Sequence, residues 1–141
     1  MGREEFSELE KLTIEDLEKS TLTLEDLRGE ILDASAIRRR LGLDSRIPAK
    51  GGYAILYFGL EGNPIMDSGL PFERFRLVGI EAGSEIGKYM APVGTRTHLY
   101  IPTQLRAAIQ NSAVGPVLVI TEGEKKAVAS CKAGRFRLVT A

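Results

Sequence analysis

The sequence predicts an α/β fold with an α+β N-terminal part, and three observations carry that expectation. Residues 1–46 space leucine and isoleucine among acids in a helical rhythm. Tyr53-Ala-Ile-Leu-Tyr-Phe58 and Phe72-Glu-Arg-Phe-Arg-Leu-Val78 are aromatic and β-branched, with turn-forming residues between them, as in paired strands. Pro116-Val-Leu-Val-Ile-Thr121 is an almost unbroken apolar run followed by a glycine, a helical stretch and a second apolar run, the pattern of parallel strands buried on both faces. The expected organisation is a helical N-terminal region at 1–46, a small, mostly antiparallel β-rich subdomain at 47–112 and the opening β-α-β of a parallel sheet at 113–141.

Within the first region, Thr13-Ile-Glu-Asp16 and Thr23-Leu-Glu-Asp26 each place a hydroxyl three residues before a carboxylate, a variant capping box that predicts two helix starts. Leu9, Leu12 and Leu17 supply the apolar side of the first helix, Ile31, Leu32, Ile37 and Leu41 that of the second, and Gly42 is its expected stop. Pro48 and Gly51-Gly52 then break the helical pattern and the strand around Tyr53–Phe58 follows. Gly59 to Gly69 reads as a long turn. In the returning strand, side chains two apart share a face, so Arg74 and Arg76 point one way while Phe75 and Leu77 point into the core. Lys88–Pro92 and Thr97–Ile101 read as short extended pieces, and Pro102-Thr103 opens a helix carrying Leu105, Ala108 and Ile109. The last helix carries Ala127, Val128 and Cys131 on one side and is expected to end at Gly134, before the strand Phe136–Thr140.

With 141 residues the chain suffices for one core, burying roughly 70% of its unfolded surface. A hydrophobic share of 43% and a charged share of 27% exclude wholesale disorder. One cysteine forms no internal disulfide, and with one histidine there is no Cys/His set for structural zinc; a reducing, cytoplasmic compartment fits. Apolar runs are too short to span a bilayer, and the acidic N-terminus is unlike a secretory or transit peptide, so no membrane partner is expected. Formal charge is zero, yet residues 1–33 carry 11 acidic and 4 basic residues against 8 and 15 in residues 34–141, so the parts stand at −7 and +7. A basic body is therefore available to a polyanion, and the acidic helical region is placed to lie over it and compete with phosphate.

In an open α/β sheet, chemistry gathers beyond the carboxyl ends of the strands, where Glu122 falls. Its carboxylate, followed by a glycine, reads either as a magnesium ligand or general acid/base, or as an acid at a helix N-terminus favoured by the dipole; Glu124 reads as the latter. One carboxylate makes a poor magnesium site. Gly123 to Lys126 is not a phosphate-binding Walker loop, so ATP hydrolysis has no support. His98 reads as structural or surface-lying and Cys131 as a packing residue. Arg38-Arg-Arg40 serves either a helix C-terminus or nucleic acid.

Val119-Ile-Thr-Glu-Gly-Glu-Lys-Lys-Ala127 resembles the first motif of Toprim domains, the module of bacterial-type primases, topoisomerases and related nucleases. It is especially similar to an uncharacterised Toprim-like family of plasmid, phage and mobile-element proteins found beside primase-helicase modules. The likeness runs over about residues 9 to 141: a helical hairpin at Leu9–Leu43, an aromatic strand at Tyr53–Phe58, an arginine strand at Phe72–Leu77, Lys-Tyr-x-x-Pro at Lys88–Pro92 and Leu-Tyr-x-Pro at Leu99–Pro102.

The resemblance implies a role in DNA replication. Glu122 would be the catalytic Toprim glutamate and a ligand of Mg2+, assisting proton transfer at a sugar hydroxyl. Arg74, Arg76 and Lys88 would belong to a basic face that holds single-stranded DNA or nucleotide phosphates, and Lys125 and Lys126 match the family string either as phosphate binders or as solvated lysines. The family's Asp-x-Asp metal motif is absent: residues 123–141 contain no aspartate. A truncated chain, or one completed by a missing C-terminal half or a primase-helicase partner, is expected, with no magnesium-dependent catalysis of its own. The alternatives are a non-catalytic single-strand or nucleotide-binding module of a replication protein and an inactive gene fragment.

Overall fold

The computed structural model describes residues 2–110, 119–132 and 139–140. Helices pack on a four-stranded, wholly antiparallel sheet, a mixed α+β arrangement. Helix α1 (Arg3–Glu18) is followed by a short 3₁₀ turn (Glu25–Leu27), strand β1 (Glu30–Asp33), helix α2 (Ala34–Leu41) and strand β2 (Ala49–Leu56). A small hairpin, β3 (Met66–Asp67) and β4 (Leu70–Pro71), leads to β5 (Glu73–Ile80), β6 (Tyr89–Met90) and helix α3 (Thr103–Gln110). The sheet order is β1-β2-β5-β6. Strand β7 (Val119–Ile120), helix α4 (Glu124–Lys132) and strand β8 (Val139–Thr140) follow, with β7 and β8 paired in parallel. The expected strand residues 116–118 and 136–138 and the Gly134 stop lie outside the described residues.

The N-terminal region departs from its expected elements in two places. Helix α1 starts at Arg3, where the Glu5 carboxylate accepts from the Gly2 amide, and runs straight through Thr13. Leu9, Thr13, Asp16 and Leu17 are all buried and fall at helical spacing on one face, so Thr13 is a packing position and not a cap. Residues 30–33 are a strand and not part of a second helix. Helix α2 begins only after Asp33, whose carboxylate caps it by accepting from the Ala36 amide at 2.8 Å. The stretch between the 3₁₀ turn and that cap is too short for a helix of its own, and Ile31 and Leu32 instead pair with Tyr53 and Gly52. The second capping box does form: the Thr23 amide donates to Asp26 Oδ2 and the Asp26 amide to Thr23 Oγ1, opening the 3₁₀ turn. Gly42 ends α2 with φ 76°, the left-handed cap that glycine adopts without a Cβ penalty.

The sheet is covered on both faces, which decides what its arginines meet. Phe75 and Leu77 pack with Leu32, Ile37, Leu41 and Ala54 beneath α2. The opposite face carries Tyr53, Ile55, Tyr57 and Val78 beneath α1 and α4, together with Leu9, Leu17, Ala127 and Val128. Strand pairing sets Ile31, Tyr53, Arg76 and Tyr89 in one row across four strands. Gly52 keeps β2 and β5 close, since a Cβ there would run into the carbonyl oxygen of Arg76.

Candidate functional site

Arg74 and Arg76 emerge on one face, as the strand alternation predicts, but the face is not open to solvent. Arg76 Nη2 donates to Asp16 Oδ1 at 2.7 Å, and the other oxygen of Asp16 accepts from the Tyr53 hydroxyl at 2.9 Å and Lys125 Nζ at 3.2 Å. Asp16 belongs to the acidic N-terminal helix, so this carboxylate sits where a phosphate would meet the same donors. Arg74 Nη1 donates at 2.9 Å to Glu124 Oε1, which also accepts from the Tyr57 hydroxyl at 2.6 Å. Both guanidinium groups lie near the Tyr89 ring, 5.1 and 5.4 Å from its centroid.

Burial makes these contacts structural. The side chains of Asp16, Arg76 and Lys125 are 7%, 12% and 16% exposed and Glu124 is 1%, whereas Arg74 keeps 33%. Glu124 Oε2 and Arg76 Nε have no hydrogen-bond partner among the described residues. Burial pushes the Asp16 carboxyl up, but the Tyr53 hydrogen bond and the charges of Arg76 and Lys125 outweigh it and hold the group below its ordinary value. Burial, then the charges and hydrogen bonds of Asp16 and Glu124, push the Tyr53 and Tyr57 hydroxyls well up, so both remain donors at any physiological pH.

The remaining predicted residues fall outside this buried network. Lys88, just before β6, is exposed and lines a groove of about 190 Å³ with Asp16, Lys19 and Arg76. Among the described residues neither Lys19 nor Lys88 has an ion-pair partner. Glu122 is 96% exposed, with Lys126 Nζ 3.8 Å away and itself 70% exposed. Thus Arg74, Arg76, Lys88 and Lys125 are brought to one region of the sheet, while Glu122 and Lys126 form a solvated pair. The Mg2+ implied for a completed Toprim site does not fit these residues: one solvated carboxylate faces a lysine, Glu124 is taken by Arg74 and Tyr57, and no group of three His, Cys, Asp or Glu able to hold a metal occurs among the described residues.

Sequence reasoning missed Asp16 and Glu124 as the partners of the arginines. The signal was spacing: Glu124 shares the 124, 127, 128 face with Ala127 and Val128, and Asp16 shares the 9, 13, 16, 17 face. His98 and Asp67 form a further latch. His98 Nε2 lies 2.6 Å from Asp67 Oδ2, which also accepts from the Arg96 amide at 2.9 Å, and the His98 ring packs 4.4 Å from that of Phe72. A cavity of about 650 Å³ lies between the end of α2 and the β3–β4 hairpin; Arg39 and Arg40 line it, and none of Arg74, Arg76, Lys88, Glu122, Lys125 or Lys126 does.

Asp67 provides a pH test. The His98 hydrogen bond, then the Arg96 amide and the Ser68 hydroxyl, pull its carboxyl down to about 2. A carboxyl depressed on folding stabilises above its unfolded value of about 4, and the contribution is lost as pH falls through the folded value. Carbon-detected NMR of the Asp67 carboxyl should therefore show a midpoint near 2, and Asp67→Asn should flatten the loss of stability between pH of about 4 and about 2.

No helix among the described residues is long and apolar enough to cross a membrane. Compared with known proteins, the chain matches no family model, no curated protein and no solved structure.

Proposed function

We propose that this chain is a Toprim-like, primase-associated nucleic-acid-processing domain of a mobile genetic element, acting in the cytoplasm as a holder of single-stranded DNA or nucleotides, with catalysis left to a partner. The observation that carries the binding half of this reading is the groove beside the Asp16–Arg76 pair, where Lys19 and Lys88 stand exposed and, among the described residues, without an ion-pair partner. The Toprim and replication half rests on the Thr121-Glu-Gly-Glu-Lys-Lys-Ala127 resemblance and on the order of the arginine strand and the Lys88-Tyr89 motif, which pair through Arg76 and Tyr89.

The two halves of the cluster divide the work. Asp16 and Glu124 consume the charge of Arg76 and Arg74, which fixes β5, α1 and α4 against one another. Lys19 and Lys88, exposed at the groove and without acidic partners among the described residues, are left to meet phosphate.

Fluorescence polarisation with a labelled oligothymidylate tests this. Binding is expected in EDTA, not strengthened by added Mg2+ and unchanged in Glu122→Gln, and weakened about tenfold at moderate salt in Lys19→Ala/Lys88→Ala. Binding that requires Mg2+ and fails in Glu122→Gln would replace the binding module with a metal-dependent enzyme.

A further inference from the structure

A second cationic site lies elsewhere on the molecule, around Phe58. Arg28 follows the 3₁₀ turn with φ 51°, and its guanidinium carbon sits 4.4 Å from the centroid of the Phe58 ring. Arg106, on α3, brings its guanidinium carbon to 5.7 Å from the same centroid. Phe58 itself is held by a bridge to Pro64, at the base of the 59–63 loop. Gly62, with φ 88°, lies against the Arg106 guanidinium, 3.7 Å from where its Cβ would be.

Three segments far apart in sequence thus deliver two guanidinium groups to one ring. The contrast with four other arginines of the fold is chemical. Arg40, Arg46, Arg74 and Arg76 each meet a carboxylate, whereas among the described residues Arg28 and Arg106 form neither an ion pair nor a side-chain hydrogen bond. Stacking on an aromatic face restrains a guanidinium plane without using its N–H donors. The two guanidinium carbons are no more than about 10 Å apart, two like charges that no carboxylate among the described residues pairs with. An anion with two charged groups relieves that repulsion and satisfies both forks, and paired phosphates match the geometry that arginine recognises best.

We infer that Arg28, Phe58 and Arg106 form a binding site for two adjacent phosphate groups, supplied either by a single nucleic-acid strand or by the diphosphate portion of a free nucleotide. The arginines grip the phosphates and Phe58 holds the arginines in place. The site is separate in residues from the Lys19–Lys88 groove and stands whether or not that groove binds DNA.

Arginine Nε–Hε resonances in 15N NMR spectra, followed during titration with inorganic pyrophosphate and with oligothymidylate, test it. The Arg28 and Arg106 signals are expected to shift together, to do so equally in Lys19→Ala/Lys88→Ala, and to mark an affinity reduced at least tenfold in Arg28→Ala/Arg106→Ala. Phe58→Leu keeps both charges and should weaken binding several-fold, with the dispersion of the remaining amide spectrum reporting that the fold persists. A response to pyrophosphate alone assigns the site to free nucleotides, and a stronger response to the oligomer assigns it to a strand. Failure of both probes to shift the two arginine signals, or undiminished binding in Arg28→Ala/Arg106→Ala, overturns the inference.

Discussion

Replacing Asp16 with alanine is expected to lower stability by about 3–5 kcal/mol, because it strands Arg76 and Lys125 in a site they occupy only as counter-ions. Asp16 accepts from Arg76, Lys125 and Tyr53 at once, and the three charged side chains are at most 16% exposed. A loss of that size lowers the melting temperature by roughly 10–15 °C in a domain of this length. It should appear as a fall in the urea midpoint with little change in slope. The penalty belongs to the unpaired cations, not to the absence of a favourable ion pair. Asp16→Leu/Arg76→Met, with Lys125→Met, should therefore recover most of the loss, as apolar replacement of buried ion pairs does elsewhere. The pH dependence has a matching sign: the Asp16 carboxyl is depressed on folding, so its stabilisation is present above the unfolded value of about 4 and is lost as pH falls below it. Asp16→Ala should lack that part of the acid limb.

Glu124→Ala is the second large effect, expected at about 2–4 kcal/mol. It removes the acceptor of both the Tyr57 hydroxyl and Arg74, and it does so at a side chain that is 1% exposed. The effect should fall below that of Asp16 because Arg74, 33% exposed, regains part of its hydration when released. Glu124→Gln retains an acceptor for Tyr57 and should cost less, about 1–2 kcal/mol, with Glu124→Leu/Arg74→Met closer to the wild type than Glu124→Ala. Chemical denaturation of the four proteins separates these cases. Glu122→Gln, at a 96% exposed position, should leave the midpoint unchanged. The contrast between two glutamates separated by one glycine is a direct consequence of where α4 turns its faces.

Much of the local structure was legible from the residues. Gly42 stops α2, the Thr23–Asp26 box closes its turn, and the alternation of Arg74 and Arg76 with Phe75 and Leu77 gives the correct two faces of β5. The strand at 30–33 was not, because Ile31-Leu32 fits a helical spacing equally well and only pairing with Tyr53 and Gly52 decides it. Thr13 likewise carries a cap signature that a longer helix overrides. The larger miss concerned the environment of the arginine face. Alternation gives a direction but not what lies beyond, and the cover comes from α1 and α4, distant in sequence. Asp16 sits among Glu15 and Glu18 in an acidic helix, and only its register with Leu9, Thr13 and Leu17 distinguishes it. The Arg28–Phe58–Arg106 grouping has no sequence signal at all, since nothing short of the fold brings those three segments together.

The split of charge along the sequence corresponds to this packing. The acidic N-terminal helix does lie over the basic sheet face, as Asp16 on Arg76 and Lys125 and Glu8 on Lys50 show. What remains for a polyanion is the set of cations that form no ion pair among the described residues, including Lys19 and Lys88 in the groove.

The division between internal and available cations is tested most directly by the salt dependence of oligothymidylate binding in three proteins: wild type, Lys19→Ala/Lys88→Ala, and Asp16→Leu/Arg76→Met/Lys125→Met. Loss of two phosphate contacts on a single strand should reduce the slope of log K against log salt by about 1.4 in the lysine variant, whereas removal of the internal cluster should leave the slope at its wild-type value. An unchanged slope in the lysine variant, or a fallen slope in Asp16→Leu/Arg76→Met/Lys125→Met, would contradict the account.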